Sequence, residues 1–163
     1  MEDEKKAKGK EHLSNYGEYK KQTRLSNIKF GMDSALKYVA VGDILPIVHS
    51  HPDWNEETPN FWYHHSRTPE EYDDLAKKYE VIRTKMKKGV SLDVLERDKD
   101  VMLVIDRWWS KMDPVKLVRF KGSYFVVSGL HRVALAMKHG LDEIPAIFSE
   151  ARLKRTSIAV KCS

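Results

Sequence analysis

The chain has 163 residues, of which 41% are hydrophobic and 33% charged, and its formal net charge is +5 at pH 7. This length and composition predict one domain with a real hydrophobic core, and without a run of about 18 apolar residues a membrane-spanning helix is not expected. A single cysteine, Cys162, excludes an intramolecular disulfide framework, and with no recognisable signal peptide the expected localisation is cytoplasmic, with no membrane partner.

The first part of the chain predicts an arm followed by a strand. Residues 1–22 are highly charged and weakly periodic, so they are expected to form a flexible arm, at most partly helical. After a short packed segment near Ile28, residues Lys37–Val41 predict the first strand of the sheet, which Gly42 closes. Asp43 then opens a corner that ends at Pro46.

An aromatic, histidine-rich loop is expected over residues 49–66. Its His49-Ser50-His51-Pro52-Asp53 run is similar to the start of the zinc motif in metallo-β-lactamase-like hydrolases, but Trp54 stands where that motif requires another histidine, so no metal site is predicted. Two interpretations stay open. The loop aromatics stack on a base while a histidine approaches phosphate, or they fill the core beneath the loop.

The middle of the chain predicts three helices. Thr68, Pro69 and Glu71 form a start signal with a capping box and a proline at the first helical position. Gly89 supplies the stop signal of this helix. Apolar residues at helical spacing predict its buried face: Tyr72, Leu75, Ala76, Tyr79, Ile82 and Met86. Ser91 caps a second, shorter helix, and residues 101–110 predict a third.

The last part predicts a hairpin, a helix and a strand. The hairpin joins Val115–Phe120 to Ser123–Val127 across Lys121-Gly122. A helix then runs from the Gly129 turn to Gly140, and a strand covers Ile144–Phe148. The whole predicts an α/β (α+β) domain over residues 23–150, a small mixed sheet flanked by helices, with a basic tail over residues 151–163.

The turn Ser128-Gly129-Leu130-His131-Arg132 is the strongest functional signal in the chain. A glycine between a strand and a helix lets the backbone approach a ligand closely. The first N–H groups of the helix have no partner within the helix and favour anions. His131 and Arg132 add cationic or hydrogen-bonding side chains, and Ser128 suits the N-cap. This combination predicts a phosphate-binding site at Ser128, Gly129, His131 and Arg132.

The same residues carry a resemblance to a known superfamily. The Gly129-x-His131-Arg132 turn, the alanine-rich helix after it, Gly140-Leu141 and Ile144-Pro145-Ala146-Ile147 resemble the signature of the ParB/sulfiredoxin-like superfamily. The strand and corner from Val39 to Pro46 are similar to the start of that domain. The resemblance spans about residues 37–150 and is firm only from about 115 to 148. It implies a small α/β domain whose glycine turn holds the phosphates of a nucleoside triphosphate or diphosphate with Mg²⁺.

The chain also departs from this superfamily. Leu130 occupies the position of the catalytic cysteine of sulfiredoxin, so sulfinic acid repair chemistry is excluded there. In kinase relatives a carboxylate after the first strand acts as general base, and the resemblance therefore implies Asp43, Glu56 or Glu57 in that role, with His131 as a further catalytic candidate. Many ParB-like members carry an acid before the glycine, where this chain has Ser128.

Three functions follow from these features. The first is a nucleotide-dependent enzyme for phosphoryl transfer or phosphodiester cleavage, since both need phosphate positioning. The second is a non-catalytic DNA-binding or nucleotide-switch module. The lack of a helix-turn-helix pattern after residue 150 counts against this function. The third is a bacterial toxin or effector domain. The expected partners are a nucleotide and, through the basic tail from Arg152 to Lys161, nucleic acid.

Overall fold

A computed structural model of the chain describes residues 2–50, 69–95, 97–108 and 113–154. The predicted histidine-rich loop, including His51, Trp54, Glu56 and Glu57, and the end of the basic tail lie outside these ranges. The described helices and strands are, in chain order, α1 (Glu2–Arg24), β1 (Ile28–Phe30), β2 (Lys37–Ala40), a 3₁₀ turn (Val41–Asp43), α2 (Ile47–Ser50), α3 (Pro69–Lys87), α4 (Leu92–Leu95), α5 (Lys99–Trp108), β3 (Val115–Phe120), β4 (Ser123–Ser128), α6 (Leu130–Lys138) and β5 (Glu143–Leu153).

Strand β5 is the centre of the mixed sheet. One edge pairs in parallel with β3, and β3 pairs in turn with β4 as an antiparallel hairpin. The other edge pairs antiparallel with β2 over residues 143–146 and with β1 over residues 151–153. Between these two ladders, the Gly31 and Ser34 amides donate to the carbonyls of Glu150 and Phe148 at 2.8 and 2.7 Å. The predicted mixed sheet flanked by helices is therefore confirmed.

The predicted hairpin turn is confirmed in its geometry. Lys121 and Gly122 have φ angles of 52° and 87°, and positive φ at both central residues defines a type I′ turn. This turn follows the right-handed twist of its strands and so fixes the register of β3 against β4. The hairpin thereby sets the position of β4, which leads directly into the Gly129 turn.

The sheet separates two hydrophobic clusters. Side chains on a strand alternate between the faces of a sheet, and here Leu117 and Val126 belong to a large cluster with residues of α3, α5 and α6. Their neighbours Val118 and Phe125 belong to a smaller cluster, against which Tyr16 of α1 packs. Helices therefore cover the sheet at both clusters, because each apolar face of a sheet must be buried against another element.

The prediction of a flexible arm over residues 1–22 is wrong. Residues 2–24 form α1, which packs on the sheet through Tyr16 against Phe125, with ring centroids 4.9 Å apart, and through Tyr19 against Phe120, 5.7 Å apart. His12 is only 5% exposed. The buried face consists of residues 12, 16 and 19, which have helical spacing but are one histidine and two tyrosines. A pattern search for aliphatic residues does not detect such a face.

Helices α3 and α5 were predicted correctly where they are described. Gly89 ends α3 at φ 97°, with its own amide bonded to the Met86 carbonyl at 3.0 Å and the Val90 amide to the Lys85 carbonyl at 3.1 Å, as in a Schellman motif. Ser91 caps α4 by accepting the Val94 amide at 3.4 Å. Thr68, the predicted cap of α3, lies outside the described residues.

The prediction of a basic tail from residue 151 is also wrong at its beginning. Residues 151–153 belong to β5 and pair with β1, with Ala151 opposite Phe30. The Lys154 amide still donates to the Asn27 carbonyl at 2.9 Å. The sheet therefore continues well past the predicted domain boundary at residue 150, because β1 offers a second partner to the same strand.

Candidate phosphate-binding turn

The Gly129 turn joins the end of β4 to the beginning of α6. Gly129 has φ 98° and ψ 33°, a left-handed conformation, and it is the N-cap residue of α6. Ser128, which was predicted as the cap, instead ends β4 opposite Lys116, and no side chain caps the helix. The glycine carbonyl accepts the Val133 amide at 3.1 Å as the first bond of the helix.

The glycine is required here by the packing of the turn on β3. A Cβ atom at residue 129 would lie 2.9 Å from Cγ2 of Val115 and 3.3 Å from Nη2 of Arg132. Contacts near 2.9 Å are too short for carbon atoms, and the positive φ disfavours any residue with a Cβ. The sequence predicted close approach to a ligand. The structure shows close approach to β3 and to the Arg132 guanidinium.

The electrostatics of the turn favour an anion. The first turn of α6 contains no acidic residue, and its N-terminal end carries the positive end of the helix dipole. His131 and Arg132 are half-buried, and the Arg132 guanidinium lies against the glycine with its Nη1 atom buried. Lys116, opposite Ser128 in the ladder, has its Nζ atom 3.2 Å from Asp33. The predicted residues Ser128, Gly129, His131 and Arg132 all lie between the last residue of β4 and the first turn of α6.

Asp43 does not join these residues. It comes directly before the corner where Ile44 bridges Tyr124 and the Leu45 amide donates to the Tyr124 carbonyl at 2.9 Å, at the beginning of β4. Gly129 follows the other end of that strand, roughly 16 Å away at about 3.3 Å per residue. Asp43 lies instead 3.7 Å from Lys8 Nζ. Of the predicted general bases, the structure separates Asp43 from the turn, and Glu56 and Glu57 lie outside the described residues.

A buried polar network that the sequence analysis missed attaches α1 to the hairpin. His12 Nδ1 lies 2.6 Å from Ser123 Oγ, and His12 Nε2 donates to the Gly42 carbonyl at 2.9 Å. Asn15 Nδ2 donates to the same hydroxyl at 2.9 Å. Ser123 is completely buried, so this serine and histidine satisfy each other inside the protein and offer no nucleophile to a substrate. The spacing of His12 and Tyr19, seven residues apart and so on one face of a helix, was the available sequence signal for this buried face.

The C-terminal end of α6 is tied to α3 by charge. His139 Nε2 and Lys138 Nζ lie 2.9 and 3.5 Å from Asp73 Oδ1. Partial burial would raise the pKa of Asp73, but the hydrogen bond from His139 and the charge of Lys138 outweigh it, so the pKa is lowered. Cations at this end also complement the helix dipole. Both ends of α6 are therefore fixed, one on β3 and one on α3.

Within the described residues there is no cluster of three metal-ligating side chains, and none of the described helices is long and apolar enough to cross a membrane. No match was found among protein-family models, curated proteins or solved structures. The resemblance to the ParB/sulfiredoxin-like superfamily therefore stays an expectation drawn from the sequence.

Proposed function

We propose that the protein binds a phosphate group of a nucleotide at the Gly129 turn. The observation that carries the proposal is the left-handed Gly129 N-cap, which has no capping side chain and places the Arg132 guanidinium beside the first turn of α6. Backbone amides at a helix N-terminus recognise phosphate oxygens, and a guanidinium adds charge-assisted, paired hydrogen bonds. The strand-turn-helix order agrees with the resemblance described above.

The proposal is limited to recognition of the phosphate. Phosphoryl transfer or phosphodiester cleavage also needs a base near the turn, and Asp43 lies at the opposite end of β4. Magnesium needs several oxygen ligands, while the first turn of α6 has no carboxylate. Any magnesium at this turn would depend largely on oxygens of the nucleotide itself. The contribution of magnesium is therefore tested by titrations with and without the ion.

The test is calorimetric titration of the purified protein with ATP, ADP, CTP and GTP, each with and without magnesium, and with inorganic phosphate. We expect one nucleotide to bind, and the Arg132→Ala variant to lose at least tenfold in affinity, because a charge-assisted pair is worth about 1.5–3 kcal/mol. Arg132→Lys retains the charge but not the planar fork, so its affinity should be intermediate.

Arg97→Ala is the matched control, since Arg97 is exposed and belongs to the segment between α4 and α5 rather than to the turn. Thermal unfolding without ligand shows whether each variant folds, and saturating nucleotide at a hundred times its dissociation constant should stabilise the parent by about 2.7 kcal/mol. A folded Arg132→Ala variant with parental affinity, or a parent that binds none of these nucleotides, would reject the proposal.

A further inference from the structure

A cavity that is open to solvent lies beside α6, at the end opposite the Gly129 turn. It has a volume of about 600 Å³ and is bordered by α1, the 3₁₀ turn, α2 and the second half of α6. A volume of this size is typical of sites for small organic ligands, about 300–1,000 Å³. The residues of the turn, Gly129 to Arg132, do not line it. Its ligand is therefore a separate question from the proposed phosphate site.

The wall of the cavity is aliphatic. Together with Val41 and Pro46, the residues Ile44, Ile47, Val48, Ala134 and Met137 supply most of its side chains, and Ile44, Ile47 and Ala134 are each only 2% exposed. Within the described residues no phenylalanine, tyrosine or tryptophan lines the cavity, so it lacks the ring on which a nucleobase commonly stacks. The wall is suited to a flexible aliphatic chain, which methionine also accommodates well.

The charged groups at the cavity are all basic. Lys8 and Lys138 line it, as does His12, whose two ring nitrogens are already paired with Ser123 and Gly42, and no acidic residue does so among the described residues. The acids that contact these lysines, Asp43 and Asp73, lie outside the lining at 3.7 and 3.5 Å from the ammonium groups. The Lys8–Asp43 pair is long and largely exposed, and such pairs are weak, so a carboxylate in the cavity can compete with Asp43 for Lys8 and can share Lys138 with Asp73.

Three carbonyls near the end of α6 are already hydrogen-bonded within the protein. The carbonyls of Leu135, Ala136 and Met137 already accept the amides of His139, Leu141 and Gly140 at 3.0, 2.9 and 3.2 Å. These bonds occupy three of the acceptors near this helix C-terminus. The helix dipole still opposes an anion here, so the charges of Lys8 and Lys138 must outweigh it.

We propose that this cavity binds an amphipathic anion with an aliphatic body, a medium-chain fatty carboxylate, with the chain among Ile47, Val48 and Met137 and the head at Lys8 and Lys138. The proposal goes beyond phosphate recognition and does not depend on it. Each methylene that enters the aliphatic wall should tighten binding by about fourfold until the cavity is full. Exchange of the carboxylate for a neutral head should weaken binding, because the lysines then lose their partner.

Glycine positions on α1 offer matched variants that block the cavity. Gly9 lines it, and a Cβ there would meet no atom within 4 Å, so the side chain of a Gly9→Leu variant would extend into the empty volume. Gly17 lies on the same helix, is exposed, and also has nothing within 4 Å. Since leucine favours a helix over glycine at either position, both variants should fold. Lys8→Met and Lys10→Met form a second matched pair, as Lys10 is exposed and does not line the cavity.

The experiment is calorimetric titration of the full chain with hexanoate, octanoate and decanoate below their micelle concentrations, and with decanol and decylammonium. We expect affinity to rise along the carboxylate series, decanoate to bind at least fivefold more tightly than decanol, and decylammonium to bind more weakly still. Gly9→Leu should lose decanoate binding and Gly17→Leu should retain it. Lys8→Met should weaken decanoate binding at least threefold while Lys10→Met does not.

Several outcomes would overturn the proposal. Equal binding of decanoate and decylammonium would indicate surface adsorption, and equal loss in the Gly9 and Gly17 variants would place binding elsewhere. Absence of any binding would indicate that the cavity is closed to ligands, for example by another part of this chain. Arg132→Ala should leave decanoate affinity unchanged, so that failure of the phosphate proposal and failure of this one are separate results.

Discussion

At the scale of single residues, the left-handed glycines differ in what surrounds them. Gly129 and Gly89 have nearly the same φ, 98° and 97°, and both follow from the turn geometry at a helix end. A Cβ at Gly129 would collide with Val115, whereas a Cβ at Gly89 would meet no atom within 4 Å. One position therefore combines backbone strain with a steric clash, and the other has the strain alone.

We expect Gly129→Ala to destabilise the protein by about 2–4 kcal/mol and Gly89→Ala by only about 1 kcal/mol, since the left-handed conformation costs about that much in both and the clash adds to it only at residue 129. Urea unfolding followed by circular dichroism measures the two losses. Equal losses would mean that β3 moves away from the turn at little cost.

The structural features that could be predicted from the sequence are those that neighbouring residues determine. The glycine turn, the capping signals and the Lys121-Gly122 hairpin depend on local backbone geometry, which neighbouring residues largely determine. The buried contacts of His12 depend on Ser123, 111 positions further along the chain. No local pattern contains such information. Because the burial of His12 could not be foreseen, the charged segment around it predicted an arm.

At the scale of elements, α1 is attached by a small number of polar and aromatic contacts. Its mean composition is strongly polar, and its buried side comes from His12, Tyr16 and Tyr19. The imidazole of His12 connects two separate parts of the fold, the Ser123 hydroxyl and the Gly42 carbonyl. Loss of this ring would leave buried polar atoms without their partner, which costs more than the bond itself contributes.

His12→Ala should therefore lower the free energy of unfolding by about 2–3 kcal/mol, while Ser14→Ala, at an exposed position on the same helix, should change it by less than about 0.5 kcal/mol. Chemical denaturation gives both values. Hydrogen exchange should show faster exchange of α1 amides in the His12 variant, and unchanged α1 protection would contradict the assigned attachment.

The second half of β5 is polar in sequence, which explains why the predicted strand is too short. The strand was expected over Ile144–Phe148, where apolar residues are dense, but it continues to Leu153 through Glu150 and Arg152. Arg119 Nη1 donates to Glu150 Oε1 at 2.9 Å, so this charged residue has its partner on the neighbouring strand. Cross-strand pairs of this kind stabilise a strand whose own sequence looks polar, and they become visible only when the sheet order is known.

At the scale of the whole molecule, several tyrosines link the protonation state to the fold. Burial, more than the opposing charge of Arg83, raises the pKa of Tyr38 to about 12, with Glu143 adding to the rise. The Arg83 guanidinium stacks on its ring with a centroid distance of 3.7 Å and also donates to Glu143 at 2.9 Å. Burial likewise raises the pKa of Tyr79, whose hydroxyl donates to the Glu143 carbonyl. The neutral phenols are therefore favoured in the folded protein.

Because the folded pKa of Tyr38 is raised above its unfolded value near 10, its contribution to stability is complete below pH 10 and is lost as the pH rises towards 12. We expect the free energy of unfolding to fall across this interval in urea titrations at half-unit steps of pH. In Tyr38→Phe the decline should be shallower, and since both proteins share the deprotonation of their lysines, the difference isolates this phenol. Parallel curves would refute the assignment.

The position of β5 has a consequence for how the chain acquires its shape during translation. Strands β1, β2 and β3 all pair with residues 143–153, so the earliest strands to leave the ribosome wait for more than 100 further residues before their partner is made. Until then the nascent chain can form helices and the β3–β4 hairpin but not the sheet. Contacts of such long sequence separation slow folding, and the exposed apolar strands are the segments that a chaperone would hold in the meantime.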